Sequence, residues 1–71
     1  MIEQRELHEL DFWDLPSMNG NYLNISHSPA IILIPDGQGY IPYLWNLLQH
    51  KWTPCKFITT KEELIAIIKS L

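Results

Sequence analysis

The run Pro29-Ala30-Ile31-Ile32-Leu33-Ile34-Pro35 constrains this chain more than any other segment. It is continuously apolar, rich in β-branched residues and closed by a proline at each end. Its length suits a strand buried on both faces. It is far too short to cross a bilayer, which takes roughly 20 apolar residues. As the longest strictly apolar run in the sequence, it leaves no expectation of a transmembrane span.

The stretch after it, Asp36-Gly37-Gln38-Gly39, has the composition of a turn. Beyond it the apolar period changes. Ile41, Leu44, Trp45, Leu48 and Trp52 follow i, i+3, i+4, i+7 and i+11, which predicts one buried stripe of an amphipathic helix. Pro42 suits a first helical turn, His50 and Lys51 suit a last one, and Thr53-Pro54 ends the helix. Cys55-Lys56-Phe57-Ile58-Thr59 alternates like a second strand. Thr60-Lys61-Glu62-Glu63 then reads as a capping box, opening a final helix buried through Leu64, Ile67, Ile68 and Leu71. The expectation is an α/β (α+β) fold, with a small β-α-β-α unit over residues 30–71 and a right-handed crossover between parallel strands.

The first thirty residues read less regularly. Asn19-Gly20 is a hairpin signal between Phe12-Trp13-Asp14-Leu15 and Tyr22-Leu23-Asn24-Ile25, so a β-hairpin precedes the unit, or failing that an extended arm. Residues 1–9 are expected as a frayed helix or disordered segment, and residues 1–71 as one small domain. The helix, then Lys56-Phe57-Ile58-Thr59, then the closing stretch from Thr60 resembles the last units of many small α/β regulatory domains, anti-sigma-factor antagonist folds among them. The resemblance covers about half the chain and brings no functional residue with it.

Seventy-one residues bury a modest core, and such chains lean on disulfides, metals or oligomerisation. Cys55 is the only cysteine, which excludes an intrachain disulfide and suits a reducing compartment. The N-terminus is acidic and lacks the apolar stretch of a signal peptide, so a cytoplasmic location is expected and Asn24-Ile25-Ser26 is read as a chance sequon. Arg5 stands against Glu3, Glu6, Glu9, Asp11, Asp14 and Asp36, a balance of −5, while four lysines against Glu62 and Glu63 leave +2 in the remainder. That balance argues against nucleic acid, which calls for clustered bases. The acidic N-terminal part is a solvated face, or an arm that docks on a basic surface.

Candidate chemistry is sparse. Gly37 and Gly39 supply two glycines of a dinucleotide fingerprint, but Pro42 occupies the third position, and no Walker lysine follows. A strand-to-helix loop at Asp36, Gly37, Gln38 and Gly39 could still hold a small ligand or anion at helix N–H groups. If it is only a turn, alanine at either glycine acts through backbone strain alone. Cys55 with His27 or His50 lacks the context of a nucleophile–base pair, two ligands make no zinc site, and Glu62-Glu63 is explained by capping. No catalytic residue, metal or cofactor is expected.

The leading expectation is a non-catalytic protein-interaction module (a regulator, adaptor or inhibitor), with a protein partner or a further copy of itself and no membrane. The alternatives are a small-ligand domain using the Asp36–Gly39 loop and a minor subunit of a larger enzyme. Two candidate contacts follow. Tyr43, Leu47 and Lys51 form a row on the helix away from its core stripe, and exposed apolar strips mark contact sites. Phe12 and Trp13, flanked by acids, either anchor in a partner's pocket or close the core.

Overall fold

The structure, a computed structural model, describes residues 1–17 and 20–71. Helix α1 spans Gln4–Glu9. Five strands follow: β1 Trp13–Asp14, β2 Tyr22–Asn24, β3 Ile31–Asp36, β4 Gly39–Asn46 and β5 Lys51–Pro54. Helix α2 spans Lys61–Lys69. The strands form one antiparallel sheet in chain order. The protein is thus a small α+β fold. The expected β-α-β-α unit is not formed: among the described residues no strand pair is parallel and no crossover helix is present, and residues 41–52 make most of β4, a turn and the first half of β5.

The physical reason lies at Asp36-Gly37. Asp36 pairs with Gly39 and Gly37 has φ 61°, so Gly37-Gln38 is a two-residue hairpin loop with positive φ at its first position. That arrangement matches the twist of paired strands and folds β4 straight back along β3. Leu47-Leu48-Gln49-His50 then forms the next turn, with Asn46 Oδ1 accepting the Gln49 N–H at 3.0 Å and His50 at φ 52°. Proline inside a central strand is unusual because it removes a ladder donor. Here Trp45 N–H donates to Ala30 across the β3 side, so by alternation the nitrogen of Pro42 faces β5. On that side Pro42 still accepts from Cys55 N–H at 2.7 Å, and only one bond is forgone.

Residues 55–59, expected as a strand, instead continue along β4 irregularly. The register slips by one residue between Tyr43↔Pro54 and Tyr40↔Ile58, which is a bulge. Tyr40 and Ile58 still exchange both backbone hydrogen bonds, at 2.9 and 2.8 Å.

The expected hairpin arms do pair, Trp13 with Leu23 and Asp14 with Tyr22. The Asn19-Gly20 turn between them includes Met18 and Asn19, which lie outside the described residues. Helix α1 enters β1 through a Schellman closure. Phe12 N–H donates to the Leu7 carbonyl at 2.8 Å and Asp11 N–H to that of His8 at 3.0 Å. Asp11 takes the left-handed position, φ 67°, that glycine usually fills. Leu7 and Phe12, brought together by this turn, are both fully buried. Helix α2 begins as expected: Glu63 N–H donates to Thr60 Oγ1, and Thr60 N–H donates to the Glu63 carboxylate.

Side chains alternate across a sheet, and cross-strand partners share a face. One face presents Tyr22, Asn24, Ile31, Leu33, Tyr40, Pro42 and Leu44. Both helices cover this side, for the buried cluster joins Ile2, Leu7 and Leu64 to Tyr22, Ile31, Leu33, Phe12 and Ile58, with Ile67 and Ile68 against it. Glu9 meets Lys61 at 3.2 Å where the helices adjoin. Asn24, fully buried, donates to the Leu10 carbonyl at 2.9 Å and accepts from the Ser26 N–H and hydroxyl, tying β2 to the end of α1.

Candidate functional site: an uncovered apolar sheet face

The opposite face of the sheet has no helix on it among the described residues, except at the β1 edge, where His8 of α1 reaches Trp13. Registration makes a single row across all five strands there, Trp13–Leu23–Ile32–Tyr43–Pro54. Ile34 pairs with Ile41 and Trp45 with Trp52 on the same side. None of these residues belongs to the buried cluster. Of the strand residues on this face only Asp36, at the turn, is charged.

Trp45 and Trp52 meet edge to face, 5.3 Å between ring centroids, with His50 a further edge contact at 6.4 Å from Trp45. At the opposite edge Trp13 is 54% exposed, yet held in place. Its indole N–H donates to Asp11 Oδ1 at 2.7 Å and its ring stacks on His8 at 4.4 Å. The indole, with Ser26 and His27 near by, keeps the Asp11 carboxyl below its usual pKa. Beside Trp13 a notch of about 260 Å³ is lined by Leu15, Pro16, Leu23 and Ile25, with the acidic Asp11 and Asp14 at it as well. Contiguous apolar patches, as distinct from scattered apolar residues, are the general mark of contact surfaces.

The residues singled out in the sequence scatter. Tyr43 sits at the middle of the open face, half-buried between Ile32 and Pro54. Leu47 is at the tip of the β4–β5 turn, and Lys51 opens β5 with its pairing partner Asn46 on the helix side. The row expected on one helix is therefore not formed, because the segment is two strands and a turn. Phe12 is core, fully buried beside Leu7, whereas Trp13 is on the surface. Asp36, Gly37, Gln38 and Gly39 form a strand-to-strand turn. Among the described residues no helix N-terminus adjoins it, so the helix N–H groups expected to hold an anion there are not supplied.

Gly39 needs space rather than conformational freedom. A Cβ there would collide with the Ile58 carbonyl oxygen and stand 2.7 Å from Phe57 Cζ. The bulged Phe57 ring thus lies over Gly39, an aromatic filling the gap a strand glycine leaves. The expectation that alanine acts at both glycines through strain alone fails at this one. Sequence reasoning missed the open face, and the signal for it was the aromatic and β-branched content of residues 40–45 behind an Asp-Gly hairpin pair.

Elsewhere, an open cleft of about 690 Å³ lies where the β2–β3 loop meets the far end of β4 and β5, between His27, Ser28, Ala30, Leu44, Asn46 and Thr53. Cys55 is half-buried and its thiol pKa is pushed up by that burial. Among the described residues no group of three or more His, Cys, Asp or Glu side chains is placed to hold a metal ion. Nor is any described helix long and apolar enough to cross a membrane. Comparison with known proteins returns no match among family models, curated proteins or solved structures.

Proposed function

We propose that this chain is a small, non-catalytic protein-interaction module of the cytoplasm that acts by binding through its uncovered sheet face. The observation that carries the reading is the row Trp13–Leu23–Ile32–Tyr43–Pro54, which is apolar across all five strands and lies outside the core. Tryptophan and tyrosine dominate interface energetics because they bury much area with little loss of rotamer freedom. Here they sit on strands, so the contact surface is rigid before binding. The helix side holds the fold together and the sheet side is left for recognition.

The test is a photo-crosslinking amino acid at Tyr43, with a second at Gln38 in the turn as control. Crosslinks to protein from the Tyr43 position, absent from Gln38 and abolished by Ile32→Lys, support the reading. Equal labelling from both positions, with no effect of Ile32→Lys, overturns it.

A further inference from the structure

We propose that the β4–β5 turn docks this chain on the surface of an anionic lipid bilayer, with Leu47 and Leu48 entering the acyl boundary and Lys51 meeting the headgroups. This contact is separate from the open sheet face and goes beyond the protein-binding reading.

The tip itself favours lipid. Leu48 is 93% exposed and Leu47 70%, and Leu48 is the most exposed large apolar residue among those described. A side chain that packs on so little of its own chain offers no fixed shape to a pocket, and a fluid acyl layer requires none. Protein hot spots favour Trp, Tyr and Arg, with leucine under-represented. Strand addition is also discouraged on this hairpin, since Lys51 and Pro54 blunt the β5 edge. Read as a helix, the segment would bury Leu48; as a turn it exposes it, which is why the sequence carries no expectation of a membrane partner.

Behind the tip stand the groups an interface calls for. Trp45 and Trp52 pair across the strands just before and after the turn. Trp45 precedes Leu47 by two residues, or about 7 Å of strand. Apolar groups of surface-bound segments enter the boundary by about 5–10 Å, which leaves tryptophan at its preferred headgroup level. The Gln49 N–H, within the turn, is already met by Asn46 Oδ1 at 3.0 Å, so it loses no partner when water leaves.

The charges are sorted the same way. The chain's net charge is −3, yet residues 37–61 contain no acid. On the hairpin from Gly39 to Pro54 the only formal charge is Lys51, with the imidazole of His50 beside it. Lys51 is in no salt bridge among the described residues, whereas Lys61 is engaged by Glu9. Asp36 stands at the other end of β4, and Asp14 is on β1, four strand spacings or about 19 Å from β5. Both separations exceed the ~10 Å over which charges act through salt. An anionic surface therefore meets lysine at the tip before it meets the acids.

Two leucines and one lysine amount to binding on the order of 10³–10⁵ M⁻¹, which brackets the ~10⁴ M⁻¹ of a single myristoyl chain and is reversible.

The experiment mixes the full chain with sucrose-loaded vesicles, seven parts phosphatidylcholine to three of phosphatidylserine, and reads the bound fraction by co-sedimentation. The wild type should bind with a constant in that range. Leu47→Gln with Leu48→Gln should weaken binding at least about 100-fold. Lys51→Gln should weaken it about fivefold on these vesicles and not at all on phosphatidylcholine alone. Ile32→Gln, on the sheet face, should bind like the wild type. Circular dichroism establishes folding, and Leu48→Gln alone, at about a tenfold loss, serves if the paired change disturbs the turn. A wild type left unbound at about 5 mM lipid, where even 10³ M⁻¹ captures most of the protein, overturns the proposal. So does a leucine variant that binds like the wild type, or an Ile32→Gln variant as weak as the leucine pair. A photo-crosslinker at Leu48 that captures protein, while vesicles capture nothing, assigns the tip to a protein instead. None of these outcomes alters the crosslinks expected from Tyr43, so the two readings fail separately.

Discussion

Trp45 and Trp52 stand directly opposite one another on β4 and β5, with ring planes at 61° and centroids 5.3 Å apart. Trp45 N–H is committed to Ala30 on the other side, so the two tryptophans form a non-hydrogen-bonded pair, the kind whose side chains come closest. This contact anchors the outer hairpin, since β5 adjoins β4 alone in the sheet.

A double-mutant cycle on Trp45→Val and Trp52→Val should therefore yield a coupling of about 0.5–1.5 kcal/mol beyond the loss of apolar area. Far-ultraviolet circular dichroism should also lose the exciton couplet of two adjacent indoles in either single variant. Additive single effects in urea denaturation would mean that the two rings do not stabilise each other.

The two turn glycines should separate cleanly. Gly37→Ala costs about 1 kcal/mol, through its positive φ alone, because nothing lies within 4 Å of the new methyl. Gly39→Ala should cost more, on the order of 2–3 kcal/mol, through overpacking against Ile58 and Phe57. Adding Phe57→Ala should recover only part of that, since the carbonyl oxygen remains in the way. Urea midpoints read in the opposite order would show that the bulge yields easily.

Asn24 is the polar linchpin of the helix side. Asn24→Leu strips the Leu10 carbonyl of its donor within the core, at a cost of about 1–3 kcal/mol. Hydrogen exchange should show α1 opening first in this variant. Uniform loss of protection across the sheet, with α1 unaffected, would remove Asn24 from that role.

Acid should act first on α2. The Thr59 backbone N–H, then Thr60, hold the Glu63 carboxyl below its ordinary pKa of 4.5. A depressed folded value means that the stabilisation is complete above 4.5 and is lost as pH falls through the folded value. Glu63→Gln should flatten that part of the acid limb, and Thr60→Ala should cost about 1 kcal/mol at neutral pH. An acid limb identical in wild type and Glu63→Gln would refute the assignment.

The parts legible in sequence were those with one dominant signal. The proline-bounded run gave β3, and the capping box gave α2. Residues 41–52 were misread because both faces of β4 are apolar. Ile41, Tyr43 and Trp45 line one side, and Tyr40, Pro42 and Leu44 the other, so no polar alternation marks a strand. Five of the apolar residues in that stretch happen to fit a helical period. The open face was illegible for the same reason, since a period-of-two signal needs polar residues on the solvent side. The Schellman closure at Asp11 was hidden because aspartate stands where glycine would have announced it.

The segregation of the tryptophans has a practical consequence. Trp13, Trp45 and Trp52 all belong to one side of the sheet, and the largest aromatic residues of the core are Phe12 and Tyr22. Intrinsic emission is therefore a label already installed on the open sheet face and nearly blind to the interior. A shift in emission wavelength reports contact at that surface. Melting of the core has to be followed through the helical signal instead, and the two curves diverge whenever the surface is engaged.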